Sequence, residues 1–206
     1  MRAGGVAVID IGSANFGSVT RAFSSLGRVV RIAQEPSDIA SAGLVVLPGV
    51  GHAGQAMRRL ESGWVREGLE ARHAEERPIL GICLGAQVMC EWLEEAGAPG
   101  LGWMGGSVTR LTGAESQHTG WERLELPALR AAGLARGITR NATFYFNHTF
   151  RLPDDPVDAA VDSMGSPVIR ALFKQDHLVG AQFHPEKSQA SGRLLLRNLL
   201  EDHYVL

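Results

Sequence analysis

The sequence predicts an α/β fold: an open, mostly parallel sheet flanked by helices, with added antiparallel strands in the C-terminal half. Three observations predict it. Short, fully apolar runs alternate with amphipathic stretches through the first half, the pattern of a parallel sheet covered on both faces. Glycine is 25 of 206 residues, well above the usual ~7%, so tight turns and close backbone approaches are many. The second half changes to short strand-like runs separated by turn residues, which read as hairpins added to the sheet.

The elements follow in order. Val6–Ile11 reads as a strand, Asn15–Leu26 as a helix and Val29–Ala33 as a second strand. Pro36 stops that strand, and Ser37 is placed to cap a short helix. Leu44–Leu47 is a β-branched apolar strand closed by Pro48-Gly49. Met57, Leu60, Trp64, Val65 and Leu69 keep helical spacing, which predicts one helix over Gln55–Glu75. Ile79–Ile82 is a fourth strand, and Leu84–Glu95 reads as a helix ended by Gly97 and Pro99. The later strands are Ser107–Leu111, Thr143–Phe150, Val157–Asp162, Val168–Phe173 and Leu178–Phe183. Ser188 is then placed to cap a last helix carrying Leu194, Leu195, Leu199 and Leu200. No repeat, low-complexity tract or linker interrupts the chain, so residues 1–206 are expected to form one domain.

Composition excludes several functions. Hydrophobic residues are 45% and charged residues 20%, which fits neither a disordered tail nor a coiled coil. Twenty basic against 22 acidic residues leave a net charge of -2, so no basic field exists for nucleic acid or anionic lipid. The apolar run from Val6 is too short for a signal peptide and ends at Asp10, and no stretch is long enough to span a membrane. Two cysteines cannot scaffold a secreted domain. On one helix Cys83 and Cys90 would be ~10 Å apart, beyond disulfide reach, so free thiols in a reducing cytoplasm are expected.

Two glycine motifs fail. Gly49-Val50-Gly51-His52-Ala53-Gly54 matches G-x-G-x-x-G between a strand and a helix, but the next strand ends in Ile82-Cys83 where a ribose-binding acid is needed. Gln55-Ala56 replaces the Lys-Ser/Thr of a P-loop. Gly100 to Gly105 precedes a strand and is a turn. No C-x-x-C or H-E-x-x-H occurs, and neither a metal nor another cofactor is expected.

One motif holds. Gly81-Ile82-Cys83-Leu84-Gly85 places a cysteine at a strand-to-helix turn with glycine two residues to either side, the cysteine form of a nucleophile elbow. Such a turn forces the central residue into strained geometry at the carboxyl edge of the sheet, where open α/β folds bind ligands. The following helix N-terminus favours thiolate, and the Leu84 amide points where an oxyanion would form. Cys90 lacks flanking glycines and reads as a core residue. A thiolate acting on an amide needs a base to return a proton to the leaving nitrogen. Phe183-His184-Pro185-Glu186 offers His184 at a strand end with Glu186 to orient it; His148 competes without a nearby acid. His52, His73, His118, His177 and His203 read as surface or turn residues, with His118 near the mouth of the site. The glycines of Leu47-Pro48-Gly49-Val50-Gly51 let a second oxyanion donor approach.

At these residues the chain resembles the class I (triad) glutamine amidotransferases, and within them the glutaminase subunits of imidazole glycerol phosphate synthases. The resemblance covers nearly the whole chain. It rests on Ile9-Asp10-Ile11-Gly12 with Asn15, Pro48-Gly49-Val50-Gly51, and Gly81 to Gln87. It continues through His118-Thr119-Gly120-Trp121, Phe144 to Phe150, and Phe183 to Ser188. Pro-Gly-Val-Gly, where other triad glutaminases usually carry Pro-Gly-Gly, selects the subfamily. Ala86 stands where a larger apolar residue is usual, and Glu122 where Asn is common.

The resemblance implies the class I fold and a Cys83-His184-Glu186 triad that hydrolyses glutamine. It implies an oxyanion held by the amides of Leu84 and Val50, and glutamine held by Gly49, Gly51, Gln87, Thr149 and Phe150. Ammonia would pass to a (β/α)8 cyclase subunit in a heterodimer, serving histidine biosynthesis, with Asn15, Tyr145 and Lys187 near the interface. The alternatives are a glutaminase subunit of another amidotransferase, a stand-alone cysteine hydrolase of similar fold, and a non-catalytic nucleotide-binding module.

Overall fold

The computed structural model describes residues 5–12, 15–61, 63–112, 116–155, 157–165 and 167–203. Residues 1–4 of the N-terminal run, and the side chain of His203, lie outside that description. Along the chain run β1 (Val6–Val8), α1 (Phe16–Ser24), β2 (Val30–Ile32), α2 (Pro36–Ser41), β3 (Leu44–Gly49), α3 (Ala53–Leu60) and α4 (Trp64–Ala74). Next come β4 (Ile79–Cys83), α5 (Leu84–Gln87), β5 (Cys90–Leu93), β6 (Ala98–Pro99), β7 (Met104–Arg110), β8 (His118–Arg123) and α6 (Leu126–Ala131). The remainder is β9 (Thr143–His148), β10 (Phe150–Arg151), β11 (Ala159–Asp162), β12 (Arg170–Gln175) and β13 (Leu178–Ala181). A 3-10 turn at Pro185–Lys187 and α7 (Gln189–His203) complete it.

Among the described residues, seven strands form the main sheet in the order β11-β12-β13-β4-β3-β1-β2. The pairs from β13 to β2 are parallel, and β12 and β11 add on antiparallel, as the sequence predicts. Every residue of β3 and β4 is buried, because helices cover both faces. Alternation sorts the side chains: Val6, Val8, Leu44 and Val46 face a core closed by α1 and α7, while Ala7, Ile9, Val45 and Leu47 face one closed by α3 and α4. Under α4 the buried Arg72 guanidinium donates to the carbonyls of Ile39, Ala42, Gly43 and Pro78, tying the end of α2 to the chain that enters β3 and β4. No helix of the described residues is long and apolar enough to cross a membrane.

Four expectations are corrected. The helix at 36 is capped by Glu35 in a capping box with Asp38; Ser37 lies inside its first turn, since Pro36 already supplies a helical φ. The single helix over Gln55–Glu75 is two, broken by Gly63 at φ 45°; the apolar spacing survives the break and hides it. The helix expected over Leu84–Glu95 stops at Gln87. The Val88, Met89 and Cys90 carbonyls are taken by amides of residues 101 to 104, so the chain leaves into β5. Cys90 therefore sits on a strand rather than on the helix of Cys83, although both thiols are free. Lastly, only β11 to β13 of the later strands join the main sheet. β7 and β10 pair with β5 and β6 in a separate sheet, and β8, unrecognised in the sequence, pairs with β9.

Candidate active site

The site is built at the carboxyl end of β4. Cys83 ends the strand at φ 52°, ψ -109°, a left-handed conformation that costs a non-glycine residue free energy and aims the side chain out of the turn. The flanking glycines make that turn possible by proximity. A Cβ on Gly85 would lie 1.7 Å from the Leu47 carbonyl oxygen, and one on Gly81 would lie 2.6 Å from the Ala86 backbone. Gly49, paired in register with Cys83, abuts Leu84 and Gly85 in the same way. Because α5 is a single turn of four residues, a long helix dipole does not act on the sulfur; the nearby charge is the imidazole instead.

His184 follows β13, the strand beside β4. Its Nδ1 lies 2.8 Å from Glu186 Oε1, and both side chains are fully buried. Burial pushes the imidazole pKa down, but Cys83 and Glu186 together push it up more strongly, to about 9. Nε2 is buried and, among the described residues, turned to no group but Cys83, which raises the imidazole pKa chiefly as a hydrogen-bonding partner and then by its charge. Asn15, expected at a partner surface, is buried and its Nδ2 donates to Glu186 Oε1, fixing the carboxylate from α1. The His184 amide donates to the Tyr145 carbonyl at 2.8 Å, the Ser188 hydroxyl donates to the His184 carbonyl, and the Tyr145 amide donates back to Ser188 Oγ at 2.9 Å.

This arrangement carries a prediction. A proton on His184 stabilises the fold fully below about pH 6.5, and that contribution is lost as the pH rises through about 9. In Glu186→Gln one of the two raising influences is gone, so the histidine should release its proton at lower pH and the stability loss should move down with it. Urea melts across that range, with the His184 ring followed by NMR, check both; an unmoved titration would show that Glu186 does not hold the ring's charge.

Cys83 opens onto a cavity of about 200 Å³, the size of an amino acid rather than of a nucleotide cofactor. Val50, Gly51, Leu84, Gln87, Thr149 and Phe150 line it together with Cys83. Gly49 does not; it packs under the elbow. Tyr145 and Lys187 lie outside the cavity, with Lys187 Nζ 6.0 Å from the Tyr145 ring. Gln87 Nε2 donates to the Phe150 carbonyl at 2.8 Å, tying α5 to the far wall.

Sequence reasoning missed four residues here. Glu95 lines the cavity and accepts the Ala53 amide at 2.7 Å, and it stands in a stretch misread as helix. Gln117 and Asn147 line the mouth. Gln182, fully buried, directs Nε2 to Cys83 Sγ at 3.8 Å and accepts the Leu152 amide. Its signal was available: a lone amide in the apolar run Leu178–Phe183. His148 is no rival base. Burial pushes its pKa down to about 3, and its Nδ1 is committed to the Phe150 carbonyl at 2.8 Å. His118 and His177 prove buried, the latter 2.9 Å from His73, whereas His52 caps α3.

The comparisons agree with this geometry. The sequence profile of the family described as "Glutamine amidotransferase class-I" matches residues 7–202. The Xylella fastidiosa protein "Imidazole glycerol phosphate synthase subunit HisH" is 41% identical over 199 residues, covering 95% of this chain and 96% of that protein. The Haemophilus influenzae protein of the same name is 36% identical over 198 residues, again with 95% and 96% covered. Among solved structures, a Thermoplasma acidophilum protein described as part of a GMP synthase superposes with a TM-score of 0.73 at 22% identity, over 98% and 95% of the two chains. A Thermotoga maritima glutamine amidotransferase gives 0.61 at 20% identity, over 98% and 99%; at these identities the likeness speaks for the fold alone. A cysteine elbow over an amino-acid-sized cavity, matched across almost its whole length, makes this chain a member of the class-I glutamine amidotransferase family and, within it, of the imidazole glycerol phosphate synthase subunit HisH family.

Proposed function

We propose that Cys83 is the nucleophile of a glutaminase whose ammonia feeds a partner subunit. The chain is the glutaminase subunit of an imidazole glycerol phosphate synthase in histidine biosynthesis, and it works with glutamine and with a partner subunit. The observation that carries the catalytic assignment is Cys83, held at φ 52° against the cavity with an imidazole–carboxylate pair behind it.

In this reading the Cys83 sulfur, its proton held on His184, attacks the side-chain carboxamide carbon of glutamine. The oxyanion is received by the amides of Leu84 and Val50. His184 gives its proton to the departing ammonia, leaving a glutamyl thioester, and then takes a proton from the water that hydrolyses it to glutamate. Glu186, steadied by Asn15, keeps the ring oriented. Gly51, Gln87, Thr149 and Phe150 enclose the substrate, and the Glu95 carboxylate at the same cavity suits its α-ammonium group. Gly49 serves the elbow's packing.

The partner in this reading is a cyclase subunit of (β/α)8 fold forming a heterodimer. It converts the ammonia into imidazole glycerol phosphate and an aminoimidazole carboxamide ribotide. Tyr145, Lys187 and the exposed Trp121, whose ring is 5.6 Å from that of Tyr145, form the docking face, and Asn15 links that side to the triad. The complex works in the cytoplasm without membrane or nucleic acid. Because free hydrolysis would waste glutamine, turnover should be slow alone and rise on the order of 10²-fold with the partner and its ribotide ligand. A glutaminase assay in both states tests this. Full activity in isolation would indicate a self-sufficient hydrolase, and none under either condition would sink the reading.

A further inference from the structure

Gln182 is fully buried just past the end of β13, and the reaction outlined above gives it no part. Its carboxamide meets three groups. Oε1 accepts the Leu152 amide at 3.0 Å and Gln87 Nε2 at 3.3 Å, and Nε2 donates to Cys83 Sγ at 3.8 Å. A backbone amide only donates, so Leu152 fixes which end of the group is oxygen and leaves the nitrogen to the sulfur. The backbone of Gln182 is held as well, its amide donating to the Ala171 carbonyl at 2.8 Å.

Two of these contacts bear on the chemistry. As a thiol, Cys83 can donate to the Asn147 carbonyl, 4.0 Å from Sγ. Once its proton has passed to His184 the sulfur can only accept, and the Gln182 N–H already points at it. Gln87 Nε2 has two hydrogens and two acceptors, the Phe150 carbonyl at 2.8 Å and Gln182 Oε1. The polar atom that Gln87 keeps for the cavity is therefore its own Oε1, an acceptor like the Glu95 carboxylate on the same cavity. Together they suit the α-ammonium group of an amino acid.

We propose that Gln182 is a positioning residue that serves the nucleophile and the substrate wall at once. Its N–H steadies the Cys83 sulfur as charge gathers there, and its carbonyl turns the Gln87 oxygen toward the substrate. This rests on the glutaminase reading above. The first job acts on the attack at the carboxamide carbon and shows in kcat. The second acts on glutamine binding and shows in KM. Because one fixed amide does both, the placing of the sulfur relative to Gln87 is set by a single buried side chain.

The test uses the full chain with its partner subunit. Gln182→Met keeps the length of the side chain and removes both polar ends, so kcat on glutamine should fall about tenfold or more and KM should rise several-fold. Its urea midpoint will also drop, because the Leu152 amide loses its acceptor, and the constants are therefore taken per folded molecule. Gln87→Met separates the two jobs. It raises KM by itself, and on that background Gln182→Met should raise KM no further yet still lower kcat by the same factor. Unchanged constants in Gln182→Met, or KM effects that simply multiply in the double variant, overturn the proposal. Nitrogen-15 NMR of glutamine-labelled protein needs neither turnover nor a variant at 182. Of the two Gln182 Nε2 hydrogens, the one on the sulfur should move when Cys83→Ala removes it, and the other much less. If neither moves, the contact with the nucleophile is absent and the role falls. A wild type without glutaminase activity would sink the function itself, whereas an active enzyme with unmoved constants and resonances overturns only the part given to Gln182.

Discussion

Cys83→Ala should lower glutamine hydrolysis by about 10⁴-fold or more, because without the sulfur no thioester forms and only binding and the oxyanion amides remain. The partner's turnover on added ammonium salts should be untouched, since ammonia supplied from solution bypasses the cysteine. Stability should fall only by the share of the His184 proton's contribution that Cys83 supplies. Alanine keeps the same strained φ of 52°, and the lost sulfur faces a cavity rather than close packing. Cys90→Ala is the matched control. That thiol is fully buried, with its pKa pushed up to about 12 chiefly by burial, so it is inert. Its removal should cost about 1 kcal/mol of stability and no activity. Labelling with a glutamine-like diazoketone, read by mass, should mark Cys83 alone; a mark on Cys90 would defeat the assignment.

Gly85→Ala should be nearly as damaging by a different route. The added methyl would meet the Leu47 carbonyl oxygen at 1.7 Å and its carbon at 2.6 Å, and both belong to the backbone of the central strand β3. Backbone in the middle of a sheet cannot swing aside as a side chain can, so β3 and the elbow must separate. Stability should fall by about 3 kcal/mol or more, and glutaminase activity by about 10²-fold in whatever remains folded, because the sulfur and the Val50 segment move apart. Gly105→Ala adds the same methyl into open space and should leave both unchanged. Equal urea midpoints for the two variants would show that the elbow has slack the geometry denies.

The contrast between these positions explains what could be read in advance. Cys83, Gly81, Gly85 and the His184–Glu186 pair stand close in sequence and obey strong steric rules, so their placement could be inferred from spacing. The parallel strands β1, β3 and β4 announce themselves as apolar runs because both of their faces are covered. What was illegible depends on distant partners. The helix after Cys83 stops at Gln87 because amides of residues 101 to 104 claim its next carbonyls, a competition with no local trace. Strand β8 mixes buried His118 with exposed Thr119 and Trp121 and owes its form to β9. Glu95 and Asn15 reach the site only through tertiary contacts, with Ala53 and with Glu186.

The three bonds among Tyr145, His184 and Ser188 have a mechanical consequence. They tie the backbone of His184, the proposed base, to that of Tyr145 on β9, the residue proposed to face the partner. A partner docked on Tyr145, as proposed, would push on the imidazole's own peptide. In that reading, recognition at the surface and alignment of the proton carrier would be one displacement, with no loop needed to carry the message.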